Sequence, residues 1–387
     1  MTRTPRPRGA RAGFTLVELL VATALIILIM TVLAMAFQTG MDTLSQMKSV
    51  AGLSEQLRTA EATITRDLGA VHLEDEWGKP ILVSDPSVQS TQWSSAFNKR
   101  GFFKVRQVSP ALQNYSLTTT PAPYAFSYTN NPNYPFLFEG LDPDSVPSFR
   151  ATDQVLHFSA RLPGVSADQV FVAAAPYQNP PAGPGDLVDS SMNRQDLRVG
   201  NQFVSDWAEI AYFLRPTAVQ TAPDDESNVQ PLTLYTLYRR QRVMTANPFS
   251  FNPALDQNTY PGLSVPPMNG SPTNDPLAIT DATKRLTVDA PSGSFPSAYI
   301  ASTSPEYGSD VLLTNVVSFQ IRIQVAGVPG FQDVWASVTP DATGARVYDT
   351  ATGSGATKPR ITAIQLKVRV YDTKNKMTRQ LTITKDL

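Results

Sequence analysis

The sequence predicts an α+β protein in which one long N-terminal helix packs on an antiparallel β-sheet. Two observations lead to this fold class. The first is an apolar stretch without charge between Glu18 and Asp42, which continues into apolar residues at helical spacing. The second is a regular alternation of apolar and polar residues near the end of the chain, a pattern typical of strands with one solvated face.

The apolar stretch predicts a transmembrane helix over residues 14–41. A helix over Leu19–Phe37 would rise ~28 Å at ~1.5 Å per residue, close to the ~30 Å hydrocarbon thickness of a bilayer. Glu18 lies near its start, and an unpaired carboxylate is costly in such a segment. Glu18 must therefore snorkel, become protonated or find a partner.

The helical pattern continues over residues 42–76 as an amphipathic segment. Arg58, Glu61, Arg66 and Asp67 lie mostly between its apolar positions, so this half of the helix is expected to cover the sheet with a single face. The apolar residues that recur at spacings of three, four or seven are Leu44, Met47, Val50, Leu53 or Ser54, Leu57, Ile64, Leu68 and Val71.

Residues 77–387 are expected to form a β-rich domain. Sections 109–150 and 244–300, which are rich in Pro, Ser, Thr and Asn, are expected to be long loop insertions. The final alternating run is expected to turn through "DTKNK" and return as a hairpin. The clearest strand patterns are Asp153–Leu162, Asp206–Pro216, Pro231–Val243, Val317–Val325, Ile364–Val370 and the run that ends the chain.

Composition excludes several classes of function. The 32 basic and 33 acidic residues give a net charge of −1, so no overall field favours nucleic acid. The densest basic group, Tyr238–Arg242, could touch DNA, but such a cluster is more often the wet face of a strand. The sequence has no cysteine, so an exported form would depend on its hydrophobic core for stability.

The chain shows no residue pattern that predicts catalysis or a metal site. The acidic clusters occur in proline-bearing polar stretches where carboxylates usually serve turns and solvation, and both histidines are interpreted as structural. We therefore expect no enzyme activity, no metal and no cofactor. The residues considered were Asp142 and Asp144, then Asp224, Asp225 and Glu226, and the histidines His72 and His157.

The start of the chain resembles the processing motif of type IV prepilins and type II secretion pseudopilins. A basic leader, residues 1–13, ends in Gly13 and is followed by Phe14, Thr15, Leu16, Val17 and Glu18 ahead of the apolar stretch. The resemblance implies that a prepilin peptidase cuts between Gly13 and Phe14 and methylates the new amino group of Phe14. It also implies that Glu18, the fifth residue of the mature chain, pairs with the amino terminus of a neighbouring subunit. The alternative is that Glu18 is an interface residue of an ordinary signal anchor.

Later segments resemble one branch of this family. "EQLRTAEATITRDLGAV", residues 55–71, is similar to the stretch after the membrane helix in J-type minor pseudopilins and W-type minor pilins. "WAEIAYFLRP", "LYTLYRRQ" and "LLTNVVSFQIRI" are similar to J-type core strands. The resemblance implies a pilin-like fold, with the helix on an antiparallel sheet enlarged by loop insertions.

The expected function is that of a minor pseudopilin-like structural subunit that assembles, and initiates or caps, a type II secretion pseudopilus. The alternatives are a minor type IV pilin for adhesion, motility or DNA uptake and, in another class, a signal-anchored exported enzyme. The implied partners are a prepilin peptidase, other pilin or pseudopilin subunits and the inner-membrane assembly platform, whereas nucleic acid is not expected. The chain would cross the inner membrane once, with its C-terminal domain in the periplasm.

Overall fold

The structure, a computed structural model, divides into two compact units, Met1–Ser54 and Glu55–Leu387. Their boundary falls inside one continuous helix, α1, which spans Leu16–Leu68. The predicted segments 1–13, 14–41, 42–76 and 77–387 stay predictions. The residues that the structure describes are 15–75, 77–89, 100–108, 115–118, 125–128, 138–141, 147–149, 151–152, 154–164, 169–174, 197–199, 202–220, 232–244, 309–334, 345–351 and 358–387.

The second unit contains a large antiparallel sheet, so the α+β layout predicted from the sequence is confirmed. The strands before residue 200 are β1 Leu73–Glu74, β2 Pro80–Ile81, β3 Arg100–Gly101, β4 Phe103–Val108, β5 Tyr115–Thr118, β6 Ala125–Tyr128, β7 Phe138–Leu141, β8 Pro147–Phe149, β9 Val155–Arg161, β10 Phe171–Ala174 and β11 Leu197–Val199. The later strands are β12 Gln202–Ser205, β13 Trp207–Gln220, β14 Leu232–Val243, β15 Ser309–Val325, β16 Ala345–Asp349, β17 Ile361–Asp372 and β18 Met377–Asp386. A short 3-10 helix covers Pro86–Gln89.

Eight of these strands form the main sheet, in the order β16-β4-β9-β13-β14-β15-β17-β18. Every neighbouring pair is antiparallel. The predicted terminal hairpin is present as β17 and β18, and the Asp372 carboxylate accepts hydrogen bonds from the backbone N–H groups of Lys374 and Asn375 in its turn. Two strands that the sequence pattern does not predict, β4 and β16, are short and lie beside each other at the other edge of the sheet.

The two halves of the sheet differ in how they are buried. In β17 and β18, and over Phe319–Gln324 of β15, burial largely alternates along the strand, as the sequence predicts for one solvated face. In β9 the first six residues, Val155–Ala160, are all buried, and in β13 every residue from Trp207 to Leu214 is buried. The central strands differ from the terminal ones, because both of their faces are covered.

The last turns of α1 lie on one face of this central region. Ala60 and Ile64 are fully buried and Leu68 nearly so, at a spacing of four residues that places them on one side of the helix. On the same side of the sheet Phe158 stacks between Phe103 and Tyr212, at ring-centroid distances of 5.7 and 6.3 Å. The buried part of the helix is shorter than the predicted amphipathic face, since Leu44 and Met47 are exposed.

The segment after the helix is fixed to the end of β9. Val71 and Arg161 exchange both backbone hydrogen bonds, at 3.1 and 2.7 Å. His72 is buried beside Phe103 and Phe158. Gly101 passes so close to this segment, at φ +92°, that a Cβ there would lie 2.2 Å from the His72 carbonyl oxygen. Only glycine fits at this position.

Candidate functional site

The glutamate at the start of the apolar stretch has a local partner. Thr15 precedes the first helical residue, Leu16, and occupies the N-cap position. The Thr15 backbone N–H and hydroxyl both donate to Glu18 Oε2, at 2.9 and 3.0 Å, and the Glu18 N–H donates to the Thr15 hydroxyl at 3.3 Å. This reciprocal arrangement is a capping box, which satisfies donors that a helix start otherwise leaves unpaired. The spacing Thr-x-x-Glu before an apolar run is the sequence signal from which this cap could have been predicted.

The first part of α1 is apolar around its whole circumference. Its large apolar side chains from Leu16 to Phe37 are between 51% and 79% exposed. From Leu16 to Met41 the helix rises ~39 Å at ~1.5 Å per residue, which is enough to cross the ~30 Å core of a bilayer. α1 is thus one described helix that is long and apolar enough to span a membrane.

The hydroxyl groups of this apolar part are satisfied within the helix. Thr23 donates to the Leu20 carbonyl oxygen at 2.9 Å, and Thr31 donates to the Ile27 carbonyl oxygen at 2.8 Å. Thr39 makes the same kind of bond to the Met35 carbonyl oxygen, at 2.9 Å. Because lipid offers no hydrogen-bond partners, such back-bonding lowers the cost of placing a hydroxyl in a membrane.

The other end of α1 carries a buried carboxylate, that of Asp67. Its Oδ2 atom accepts hydrogen bonds from the Tyr212 hydroxyl and from Arg239 Nε, both at 2.6 Å. Its Oδ1 atom accepts from Arg66 Nε and Nη2, at 3.2 and 3.0 Å. Tyr212 and Arg239 are directly opposite each other on β13 and β14, so the register of the sheet creates the acceptor site for the helix.

Burial and charge in this Asp67 cluster change the properties of its partners. Burial raises the pKa of Tyr212 well above its ordinary value, and the negative charge of Asp67 raises it further, so Tyr212 is a neutral donor. For Arg239, burial alone would lower the pKa, but the charge of Asp67 and its hydrogen bond more than offset this and the pKa is raised. The cluster is therefore a buried ion pair between Asp67 and Arg239, to which the neutral Tyr212 hydroxyl donates a hydrogen bond.

Two groups of charges are buried although the sequence pattern predicts them to be solvated. Asp67 was expected between the apolar positions of the helix, whereas the structure buries it in the contact between helix and sheet. The basic group Tyr238–Arg242 was interpreted as a wet strand face, whereas Arg239, Arg240 and Arg242 are all buried. The buried partner of Asp67 is Arg239 on β14, and the carboxylate beside Arg242 is Glu209 on β13. A single stretch of sequence does not show these pairs.

The two histidines also lie inside the fold. His72 Nδ1 is 2.9 Å from the Ser159 carbonyl oxygen and His72 Nε2 is 3.3 Å from the Leu68 carbonyl oxygen. Burial lowers the pKa of His72 below its ordinary value. On the other face of the sheet, His157 Nε2 lies 2.8 Å from Glu209 Oε1, and both side chains are almost completely buried. Because both side chains are buried, the His157–Glu209 pair is not accessible to a dissolved substrate.

The remaining predicted site residues fall outside the described part of the chain. Gly13 and Phe14, the predicted cleavage and methylation positions, lie there, as do Asp142, Asp144, Asp224, Asp225 and Glu226. Within the residues described, no group of three or more His, Asp or Glu side chains could hold a metal ion. No family model, curated protein or solved structure matches this chain.

Proposed function

We propose that the chain is a minor pseudopilin-like structural subunit that assembles, and initiates or caps, a type II secretion pseudopilus. The observation that carries the proposal is the construction of α1. Its first part is apolar on all sides, and the threonine hydroxyls there donate hydrogen bonds to carbonyl oxygens of the same helix. Its last turns pack on an antiparallel sheet. A subunit that is first anchored in a membrane and then joins a filament needs a helix with an apolar membrane-spanning part and a part that is fixed to its folded domain.

The N-terminal motif supports the same function. In this proposal the prepilin peptidase removes residues 1–13 and methylates Phe14, and the first part of α1 holds the subunit in the inner membrane. The β-rich domain is then periplasmic, and the partners are other pseudopilins and the assembly platform. No catalytic residue, metal or cofactor is needed for this structural function.

Glu18 has a specific task in this mechanism. The capping box holds Oε2 against Thr15 and fixes the carboxylate close to the helix start. A carboxylate fixed in this way can receive the positively charged amino terminus of a neighbouring subunit without first losing side-chain freedom. The pair would set the axial register between packed helices, because an unpaired charge in the apolar bundle is costly.

The alternative is a minor type IV pilin for adhesion, motility or DNA uptake, which would use the same helix and motif. Its DNA-uptake form is not favoured by the basic group Tyr238–Arg242. Arg239 and Arg242 are buried, at distances of 2.6 Å from Asp67 Oδ2 and 3.8 Å from Glu209 Oε2 respectively. Cations in such pairs are not available to phosphate groups.

The proposal is tested by separating the charge of Glu18 from its capping role. Glu18→Gln retains an oxygen that can accept from Thr15 but carries no charge. Thr15→Val is the matched control, since it removes the hydroxyl of the cap and keeps the carboxylate. Membrane insertion, leader removal between Gly13 and Phe14, and crosslinking to partner pseudopilins are measured for both variants in cells that hold the peptidase and the other subunits.

We expect Glu18→Gln to be inserted and cleaved normally while its crosslinking to partners falls by roughly tenfold or more, equivalent to ~1.4 kcal/mol. Thr15→Val should remain close to wild type in all three measurements. If Thr15→Val is impaired and Glu18→Gln is not, Glu18 acts only as a helix cap. If the peptidase leaves the wild-type chain uncut, the chain is not a pseudopilin or pilin and the proposed function is wrong.

A further inference from the structure

The Arg161 guanidinium lies between two carboxylates, close to the segment that follows α1. Its Nη1 atom donates to Glu74 Oε1, on β1, and its Nε atom donates to Asp206 Oδ2 at 3.1 Å. Asp206 is the single residue between β12 and β13. Because Val71 and Arg161 also exchange both backbone hydrogen bonds, Arg161 holds the segment after the helix through its backbone and through its side chain.

Each of the two carboxylates has one oxygen atom that accepts no hydrogen bond. Glu74 Oε2 and Asp206 Oδ1 are both buried and have no partner among the described residues. The Glu74 side chain is 1% exposed and that of Asp206 is 13% exposed, whereas that of Arg161 is 34% exposed. A buried carboxylate oxygen without a partner is costly while the group is ionised, so burial favours a bound proton on this pair of acidic side chains.

In the described part of the chain, three charged side chains act on Glu74, and each comes from a different element. Arg161 on β9 attracts it, and Asp206 at the start of β13 repels it. Arg100 is directly opposite Glu74 in the β1–β3 register and also attracts it, but the ion pair that Glu74 forms is with Arg161. On the other side of β1, β2 places the uncharged Pro80 opposite Glu74.

Burial raises the pKa of Glu74 above its ordinary value of 4.5. The hydrogen bond and charge of Arg161 and the charge of Arg100 offset only part of this increase, and the charge of Asp206 adds to it. Burial alone would lower the pKa of Arg161, but Glu74 and Asp206 raise it overall, so the guanidinium stays charged. The proton that this cluster gains as the pH falls is therefore bound by Glu74.

We propose that Glu74 is a pH-sensitive switch in the contact between the segment after α1 and the main sheet. When Glu74 is ionised, it shares one guanidinium with Asp206 and is repelled by it. When Glu74 is protonated, this repulsion is removed and Arg161 keeps Asp206 as its counter-charge. The contact of β1 with β9 and β13 is thus tighter at mildly acidic pH than at neutral pH. The inference does not depend on the proposed function, since it uses contacts within the unit Glu55–Leu387 alone.

The pH dependence of unfolding tests the sign of this effect. A glutamate whose pKa is raised by folding contributes stability that is lost as the pH rises from about 4.5 through the raised value. We therefore expect the stability of the wild type to fall relative to that of Glu74→Gln over this range, by at most about tenfold in the unfolding equilibrium constant per pH unit. The full-length chain in detergent is unfolded with urea from pH 4 to pH 8 and followed by tryptophan fluorescence.

Two further variants identify the group that titrates. Glu61→Gln makes the same substitution at an exposed position of α1, and its difference from the wild type should be level over the whole range. Asp206→Asn removes the repelling charge and keeps an oxygen that can accept from Arg161 Nε. The relative fall in stability due to Glu74 should then end at a lower pH than it does with Asp206 in place.

Two spectroscopic measurements separate the proton from its effect on the contact. Infrared absorption distinguishes a protonated carboxyl group from a carboxylate, and a band that is present in the wild type above pH 4.5 and missing from Glu74→Gln belongs to Glu74. Hydrogen exchange of the Val71 and Arg161 amides, corrected for the intrinsic effect of pH and compared with the amides of the β17–β18 ladder, reports the contact. We expect these two amides to be more protected at pH 5 than at pH 8 in the wild type, and equally protected at both in Glu74→Gln.

The opposite results overturn the proposal. A relative stability that rises with pH would show that Arg161 lowers the pKa of Glu74 and that the two form an ordinary ion pair. A level difference without the infrared band would show that folding leaves the proton affinity of Glu74 unchanged. If the band is present but the protection of Val71 and Arg161 does not depend on pH, Glu74 binds a proton without affecting the contact. Should Glu74→Gln not fold, the exchange measurement on the wild type at the two pH values still decides.

Discussion

The two ends of α1 are stabilised in opposite ways. From Leu16 to Phe37 the helix exposes large apolar side chains, and its threonine hydroxyls bond to its own backbone. From Ala60 to Leu68 the helix is held by buried contacts and by the carboxylate of Asp67. The first part therefore exposes its apolar side chains to its surroundings, whereas the last turns depend on particular residues of β13 and β14.

The largest expected effect is at Asp67. In Asp67→Asn the buried guanidinium of Arg239 loses its buried counter-charge and keeps the exposed Asp310 carboxylate, 3.7 Å away, whose charge is screened by solvent. We expect this loss to lower the free energy of unfolding by ~4 kcal/mol. Urea unfolding of the full-length chain in detergent, followed by tryptophan fluorescence, measures this change. The same substitution at the exposed Asp42 should have almost no effect.

A triple variant separates the loss of charge from the loss of packing. Asp67→Leu, Tyr212→Phe and Arg239→Met together replace the buried carboxylate and its two partners on the sheet with apolar side chains. Arg66, which is half exposed, is left unchanged. We expect this variant to be more stable than Asp67→Asn, because a buried ion pair replaced by apolar residues leaves no uncompensated charge. If the triple variant is the less stable of the two, the cluster contributes more than the compensation of Arg239.

The second effect compares one substitution at the two ends of the helix. Ile64→Ala removes a fully buried side chain and should lower the free energy of unfolding by ~3 kcal/mol through lost burial and a cavity. Ile27 is 66% exposed, so Ile27→Ala should leave the unfolding free energy of the β-rich unit unchanged. Equal losses at the two positions would contradict the division of α1 into an environment-dependent part and a sheet-dependent part.

Much of this comparison could be predicted from periodicity. The uncharged run after Glu18 and the alternation in β17 are local sequence patterns. The first corresponds to the apolar part of α1, and the second to a strand that buries one of its faces. The strand β4 was missed because "FKVRQV" shows an alternation of apolar and polar residues over only six positions. Its place in the sheet is set by pairing with β9, far away in the sequence.

The candidate site could be predicted less well, for an electrostatic reason. Asp67 looks like a solvated helix residue because nothing within a few residues of it shows that Tyr212 and Arg239 will lie opposite it. The same holds for Arg242, whose partner Glu209 is on the adjacent strand. A buried charge is stable only with its partner, and that partner is fixed by strand register rather than by local sequence. The capping box of Thr15 and Glu18 is the opposite case, since both partners lie within four residues.

The smallest expected effect is a pH dependence that arises at the end of α1. Burial lowers the pKa of His72 below its ordinary value of 6.5, with Lys385 acting in the same direction, while hydrogen bonding to the Ser159 and Leu68 carbonyl oxygens and the charge of Asp67 act against it. Between the lowered pKa and 6.5 the unfolded chain binds a proton at His72 that the folded chain does not. The free energy of unfolding should therefore fall as the pH drops below about 6.5, with a slope of at most ~1.4 kcal/mol per pH unit from this residue, and should be level above it.

His72→Gln tests this origin, because an amide can still donate to the Ser159 carbonyl oxygen but does not titrate. Unfolding free energies of the wild type and the variant are measured from pH 5 to pH 8, and only their difference is used, so that contributions from Glu74 and from other titrating groups cancel. We expect the variant to be less stable by a constant amount above about pH 7 and the gap to narrow as the pH falls, because only the wild type loses stability through His72. A gap that is constant over the whole range would show that the proton affinity of His72 is the same in the folded and unfolded chain, and any pH dependence would then come from other titrating groups.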